Sequence, residues 1–166
     1  NEYVAQILKN AQFKCEGIES NDALVKVNDE YIFIEFKNGN MKNCLKEVRP
    51  KLYDSLFIFL DIIKETISFS RRKIIYILVY NEKNSEDFIN ERKNNQKQMS
   101  ASEIQDSKSF DYISNAIGQL ANYEMDIFDL RKKFQSFLFK EVHTFTATQF
   151  DDYINKIYKY FFIIKT

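Results

Sequence analysis

The chain has 166 residues, enough for one domain with a sizeable core, and its 45% apolar residues, with 16 Phe and 10 Tyr, exclude a disordered polymer. Lysine plus arginine equals aspartate plus glutamate at 24 each, which excludes a global cationic surface, so any nucleic-acid contact has to rest on a local basic patch. Three Gly, one Pro and the lack of an internal period exclude a repeat-built or loop-rich chain.

Two cysteines, Cys15 and Cys44, are too few for a disulfide framework and lack metal-ligand spacing, so both are expected as free, buried or half-buried thiols of a reducing, cytoplasmic setting. The longest apolar stretches, residues 56–63 and Ile74–Tyr80, are too short to span a bilayer, and no membrane association is expected. No basic segment followed by an apolar one opens the chain, and a start at Asn1 fits the removal of a tag or upstream segment.

In chain order, Val4, Ile7, Leu8 and Ala11 recur at helical spacing and predict a short amphipathic helix over residues 2–11. Phe13, Cys15 and Ile18 alternate imperfectly over residues 12–20, which predicts a strand with an irregularity at Gly17. Two β-rich runs, Ala23–Val27 and residues 31–37, flank Asn28-Asp29-Glu30, whose turn-forming residues predict a hairpin. Asn38-Gly39-Asn40 breaks the second strand. Leu45, Val48, Leu52, Leu56, Phe59, Leu60, Ile63 and Ile67 then predict a long buried helix, either kinked at Pro50 or starting anew with Pro50 in its first turn. Ile74–Tyr80 is almost uninterruptedly apolar, the pattern of a central strand covered on both faces.

Residues 83–109 are polar, with few core residues besides Phe88, Ile89, Met99 and Ile104, and predict a mobile or partly helical excursion. Ile113, Ile117, Leu120 and Met125 regain helical spacing. Residues 134–146 read as a strand, and residues 150–163 as an aromatic-rich helix with Thr148 as its expected cap. Asp151-Asp152 is expected in that helix's first turn, where carboxylates complement the dipole.

Side chains alternate along a strand, so Ile32, Ile34 and Phe36 share one face of the second hairpin strand, and Phe33, Glu35 and Lys37 share the other. A two-residue turn at Asn28-Asp29 places Asp22 across from Glu35; a turn at Asp29-Glu30 places it opposite Lys37. Both registers gather the three groups on one face, whereas a three-residue loop without a bulge would not. Two carboxylates beside a lysine are costly in an ordinary core, because like charges repel and each must be desolvated or paired, and a divalent metal changes that balance. Oxygen ligands from Asp22 and Glu35 suit Mg2+ or Mn2+. The backbone carbonyl of Phe36 offers a further ligand, and Lys37 is placed to orient or activate a water toward a phosphodiester. The simpler reading is a solvent-facing Glu35–Lys37 ion pair at a sheet edge, worth about 0.5 kcal/mol.

Asn21-Asp22, followed by Glu35-Phe36-Lys37 at the end of the next strand, resembles the core motif of the PD-(D/E)XK nuclease superfamily, and the order of elements over about the first half of the chain is similar to it. The resemblance implies an α/β fold with a restriction-endonuclease-like core over residues 1–82: a helix, a three-stranded antiparallel meander, a helix and a strand. The excursion at residues 83–109 and a helical and strand elaboration at 110–166 would complete the same domain. It implies Asp22 as the metal-binding acid, Glu35 as the second metal ligand, Phe36 as the carbonyl ligand and Lys37 as the catalytic lysine. Glu2, Glu16 or Glu19 would supply the additional acid found in many members. Asn21 stands where the family's name has Pro, a position at which many members vary. Gln119-Leu120-Ala121-Asn122-Tyr123 also resembles the Gln-x-x-x-Tyr helix of an exonuclease-like branch, which adds Gln119 and Tyr123 as candidates; the long polar excursion before them departs from that branch.

The function so implied is Mg2+- or Mn2+-dependent hydrolysis of DNA or RNA, in defence or DNA processing, by a chain that could also hold a protein partner or form a homodimer. A catalytically inactive protein of this fold, acting as a binding or regulatory module, is the alternative, and the neutral net charge and abundant aromatics favour it. His143 has no second His and is expected as a surface or packing residue. Arg71-Arg72-Lys73 and Arg131-Lys132-Lys133 would serve a nuclease only if they flank the same cleft. There is no Gly-rich phosphate loop and no Ser or Cys nucleophile signature.

Overall fold

The computed structural model describes residues 20–103 and 126–163. Within them an open, mixed four-stranded sheet in the order β1-β2-β3-β4 is flanked by five helices, as an α/β protein requires. β1 (Ala23–Val27) and β2 (Glu30–Lys37) are antiparallel, while β3 (Ile74–Tyr80) and β4 (Glu141–Thr146) run parallel to β2. α1 (Met41–Ile63) and α2 (Ile67–Lys73) carry the chain from β2 to β3. α3 (Glu86–Glu103) and α4 (Leu130–Phe134) lie between β3 and β4, and α5 (Ala147–Ile163) follows β4. The predicted helix over residues 2–11, the strand over 12–20 that would complete an antiparallel meander, except for Ser20, and the helix around residues 113–125 lie outside the described residues. No helix among the described residues is long and apolar enough to cross a membrane.

The hairpin closes with Val27 paired to Glu30 and Ala23 to Ile34, around Asn28 at φ 54, a left-handed conformation that Asn tolerates. This is the two-residue turn at Asn28-Asp29, and of the two registers it is the one that sets Asp22 across from Glu35.

Alternation along β2 feeds two cores. Tyr31 and Phe33 pack with Leu52, Leu56, Phe59, Tyr76 and Leu78 under α1, together with Leu130 and Phe134 from α4. Ile32 and Ile34 join Ile75, Ile77 and Val79 against Phe150, Tyr153 and Ile157 of α5. Every residue of β3 is buried, as its unbroken apolar run implies for a strand covered on both faces.

The apolar stripe of α1 buries Met41, Leu45, Val48, Leu52, Leu56, Phe59 and Leu60. Its N-terminus is capped by Asn40, whose side chain accepts from the Lys42 N–H at 2.9 Å. The helix runs through Pro50 without a new start, with Pro50 on the exposed side. It ends before Ile67: Lys64 turns left-handed at φ 58, and Ile67 opens α2 instead.

Two other boundaries differ from the sequence reading. Only Glu141–Thr146 of residues 134–146 is strand; Phe134 ends α4, and Ser136 (φ 62) donates to the Phe139 carbonyl at 2.7 Å, so Phe134, Leu138 and Phe139 reach the core from a tight turn. The cap of α5 is Thr146 rather than Thr148. Its hydroxyl accepts from Gln149 N at 3.3 Å and its own N–H donates to Gln149 Oε1 at 2.9 Å, a reciprocal capping box. Asp151 and Asp152 therefore fall beyond the first turn. The polar excursion, expected as mobile or partly helical, is helical over its described residues, through a short turn at Lys83–Ser85 and then α3, with Ile89 buried; residues 104–109 lie outside the described residues.

Candidate active site

The end of β2 is tied down on both sides. The Lys37 carbonyl accepts from Asn81 N at 3.0 Å on the β3 side, and Asn84 Nδ2 donates to the Asn38 carbonyl at 2.6 Å. On the other edge, past the end of β1, Asp22 Oδ2 accepts the Phe36 N–H at 2.7 Å. Peptide groups alternate along a strand, so with the Lys37 carbonyl toward β3 the Phe36 carbonyl points to the Asp22 side. Asp22 is held in turn by its neighbour, since Asn21 N donates to Ser55 Oγ on α1 at 2.7 Å.

Asp22, Glu35 and Lys37 are thus brought together, and two residues of α1 join them. Glu35 is fully buried, and its Oε1 lies 3.1 Å from Lys37 Nζ and 3.2 Å from Lys51 Nζ. Lys51 Nζ is also 3.9 Å from Asp22 Oδ1, and Lys37 Nζ is 3.4 Å from Glu47 Oε2. The two ammoniums are at ion-pair distance but approach Glu35 off the direction a hydrogen bond needs, so neither Glu35 oxygen has a hydrogen-bond partner among the described residues. The expected alternative of a solvent-facing pair at a sheet edge is overturned, because β2 is an inner strand and Glu35 has no exposure. Phe36 faces the other way, half-exposed, with its ring edge-on to Phe150 at 5.8 Å.

These contacts set the electrostatics. Burial pulls the Lys37 ammonium down, but the carboxylates of Glu35 and then Glu47 more than offset this and raise its pKa above the ordinary value. Lys37 is therefore a cation at neutral pH, suited to hold an anionic oxygen or orient a water. Tyr76 on β3 is fully buried, and its hydroxyl has no hydrogen-bond partner among the described residues; burial, and after it the charges of Glu35 and Asp22, pushes its pKa well up.

A cleft of about 470 Å³ opens at the carboxyl ends of β2, β3 and β4, lined by Lys37, Asn38, Asn81, Lys83 and the first residues of α5. That is where α/β sheets commonly take ligands. Lys37 links it to the carboxylate cluster; Asp22 and Glu35 do not line it. The two basic runs do not flank it. Arg71, Arg72 and Lys73 end α2 just before Ile74, which pairs with Tyr31, whereas Lys37 pairs with Tyr80 at the far end of the same ladder. Arg131 Nε donates to the Val142 carbonyl, near the start of β4.

Glu2, Glu16, Glu19, Gln119 and Tyr123 lie outside the described residues. Among the described residues no group of three His, Cys, Asp or Glu side chains gathers as a metal site. His143 is a packing residue, stacked on Phe145 at 5.2 Å and 3.2 Å from Glu141. Glu47 and Lys51 were not singled out from the sequence, yet a signal exists. Glu47, Lys51 and Ser55 recur every fourth residue beside the apolar stripe of α1, forming a polar line on the flank of a helix that otherwise faces the core. All three meet the end of the hairpin.

Comparison of the chain with protein families, curated proteins and solved structures finds no match.

Proposed function

We propose that the chain is a metal-dependent nuclease with a restriction-endonuclease-like core, hydrolysing phosphodiester bonds of DNA or RNA in a cytoplasmic setting. Glu35 carries the reading: a fully buried carboxylate without hydrogen-bond partners among the described residues, beside Lys37 and across from Asp22. A core keeps a buried carboxylate only where its charge is offset, here by Lys37 and Lys51, and a hard divalent cation would offset it as well while filling the unused lone pairs.

The donors fit Mg2+ or Mn2+, which retain several waters and so need few protein ligands. Asp22 Oδ1, Glu35 and the Phe36 carbonyl would hold the ion, which when bound supplies Lewis acidity and an acidified water. The chain's own contribution is positional and electrostatic. The Phe36 N–H fixes Asp22, the Asn81 and Asn84 bonds fix the end of β2, and Lys37 presents a cation to the phosphate from the cleft wall. Incubation of the protein with Mg2+ or Mn2+ and linear or circular DNA, or RNA, is expected to yield cleavage that Lys37→Ala abolishes without unfolding the chain. Equal cleavage by mutant and wild type would remove the assignment.

One observation favours a second reading, a binding or regulatory module of the same fold without turnover. Lys37 and Lys51 already neutralise Glu35 from within. No heat of Mn2+ binding in calorimetry, with a stable protein partner or homodimer in solution, would select it.

A further inference from the structure

Lys51 is the cation that already sits between the two acids. Its ammonium is 3.2 Å from Glu35 Oε1 and 3.9 Å from Asp22 Oδ1, with the side chain largely buried. Lys37 shares Glu35 Oε1 but has a partner of its own in Glu47 at 3.4 Å. The two ammoniums are therefore placed differently. Lys37 is shared between Glu35 at 3.1 Å and the exposed Glu47 at 3.4 Å, whereas Lys51 is the ammonium within reach of both Asp22 and Glu35. A divalent ion balances Asp22 and Glu35 completely and leaves Lys51 surplus, a like charge within ion-pair distance of the same oxygens. The two ammoniums cannot exchange roles, because only Lys51 touches both acids.

We propose that Lys51 is the resident counter-ion of the Asp22–Glu35 pair, competing with a divalent cation for those carboxylates and displaced from them when the cation binds. The inference rests on the nuclease reading only for the metal, and it concerns a residue that the resemblance does not assign. Lys51 keeps the buried Glu35 from standing uncompensated in the metal-free protein, and it sets a threshold concentration below which the site stays closed to the ion. Its four-carbon stem and its position on the flank of α1, just after exposed Pro50, let the ammonium swing to solvent without moving the helix.

The test is Mn2+ titration of the full chain by calorimetry, comparing wild type with Lys51→Met and Lys51→Arg, each checked for folding by circular dichroism. Lys51→Met, which keeps the stem and removes the charge, is expected to bind Mn2+ on the order of tenfold more tightly than wild type, while Lys51→Arg binds no more tightly. A complementary measurement needs no variant: acylation of the Lys51 amine, followed by mass spectrometry, is expected to accelerate when Mg2+ saturates the wild-type protein. If wild type binds Mn2+ and Lys51→Met binds it no better, or if Lys51 labelling ignores saturating Mg2+, the counter-ion role is wrong and the nuclease reading stands. If neither wild type nor Lys51→Met binds the ion, both fall together.

Discussion

The two ends of β2 carry the same chemistry in opposite circumstances. At its start, Glu30 receives Lys140 at 2.6 Å, and Lys140 also lies 3.3 Å from Glu141, itself 3.2 Å from His143. The Glu30, Glu141 and Lys140 side chains there are each more than a third exposed. At its end, Glu35 is wholly buried between two ammoniums and has no aligned hydrogen bond. Solvent completes the first cluster, so it can form anywhere on a surface at little cost. The second is shut away from solvent, and burial rather than residue type is what distinguishes the two ends.

The widest separation between the two ends is expected in catalysis. Lys37→Ala should lower Mn2+-supported cleavage by at least about 100-fold, the usual scale for a group acting on the reacting atoms, whereas Lys140→Ala should leave the rate unchanged within assay error. A similar loss from both would mean that β2 has no functional end. Next in size is stability. Glu35→Gln leaves Lys37 and Lys51, both close to the same atom, with only the more exposed Glu47 and Asp22 as counter-charges, and should cost about 2 kcal/mol in chelator-treated protein. Glu30→Gln should cost less than about 0.5 kcal/mol because water replaces the lost partner. Urea midpoints at constant slope measure both.

How much of this was legible depended on how local its cause is. The hairpin and the shared face of Glu35 and Lys37 follow from strand alternation and from turn residues, so both could be read directly, and the structure selects the register with Asp22 opposite Glu35. The covered strand β3 was equally plain from its run of seven apolar residues. What escaped has a tertiary cause. Glu47 and Lys51 matter because α1 lies over the end of β2, and a helix flank carries no sign of what it will face. The α5 cap was missed by two residues because Thr146 ends a strand and caps a helix at once. The strand predicted over residues 134–146 was too long because buried Phe134, Leu138 and Phe139 belong to a helix end and a tight turn.

A smaller effect sharpens the account of the buried end. The Tyr76 hydroxyl is buried and has no hydrogen-bond partner among the described residues, so removing it discards a desolvated polar group without breaking a bond seen there. Tyr76→Phe is expected to raise stability by about 1 kcal/mol in the absence of metal. A loss of that size would mean that the hydroxyl is bonded through an ordered water to Glu35, and the buried end would be less incomplete than its side chains alone suggest.

The smallest effect is expected at the exposed end and depends on pH. Burial by itself would push the Glu141 carboxyl up, but His143 and then Lys140 outweigh it and hold the pKa below the ordinary 4.5. Because the folded value is the lower one, the unfolded chain binds the proton more readily. Glu141 therefore contributes its full stabilisation above pH 4.5, and the contribution disappears as pH falls through the folded value. The stability difference between wild type and Glu141→Gln should fall as the pH is lowered through the folded value and vanish in more acid solution. Its size should be only a fraction of a kcal/mol, roughly 0.5, because solvent reaches the pair. Added salt should shrink it further, as screening requires of an exposed ion pair and not of Glu35. A salt-resistant difference would make the two ends of β2 alike, and burial would no longer distinguish them.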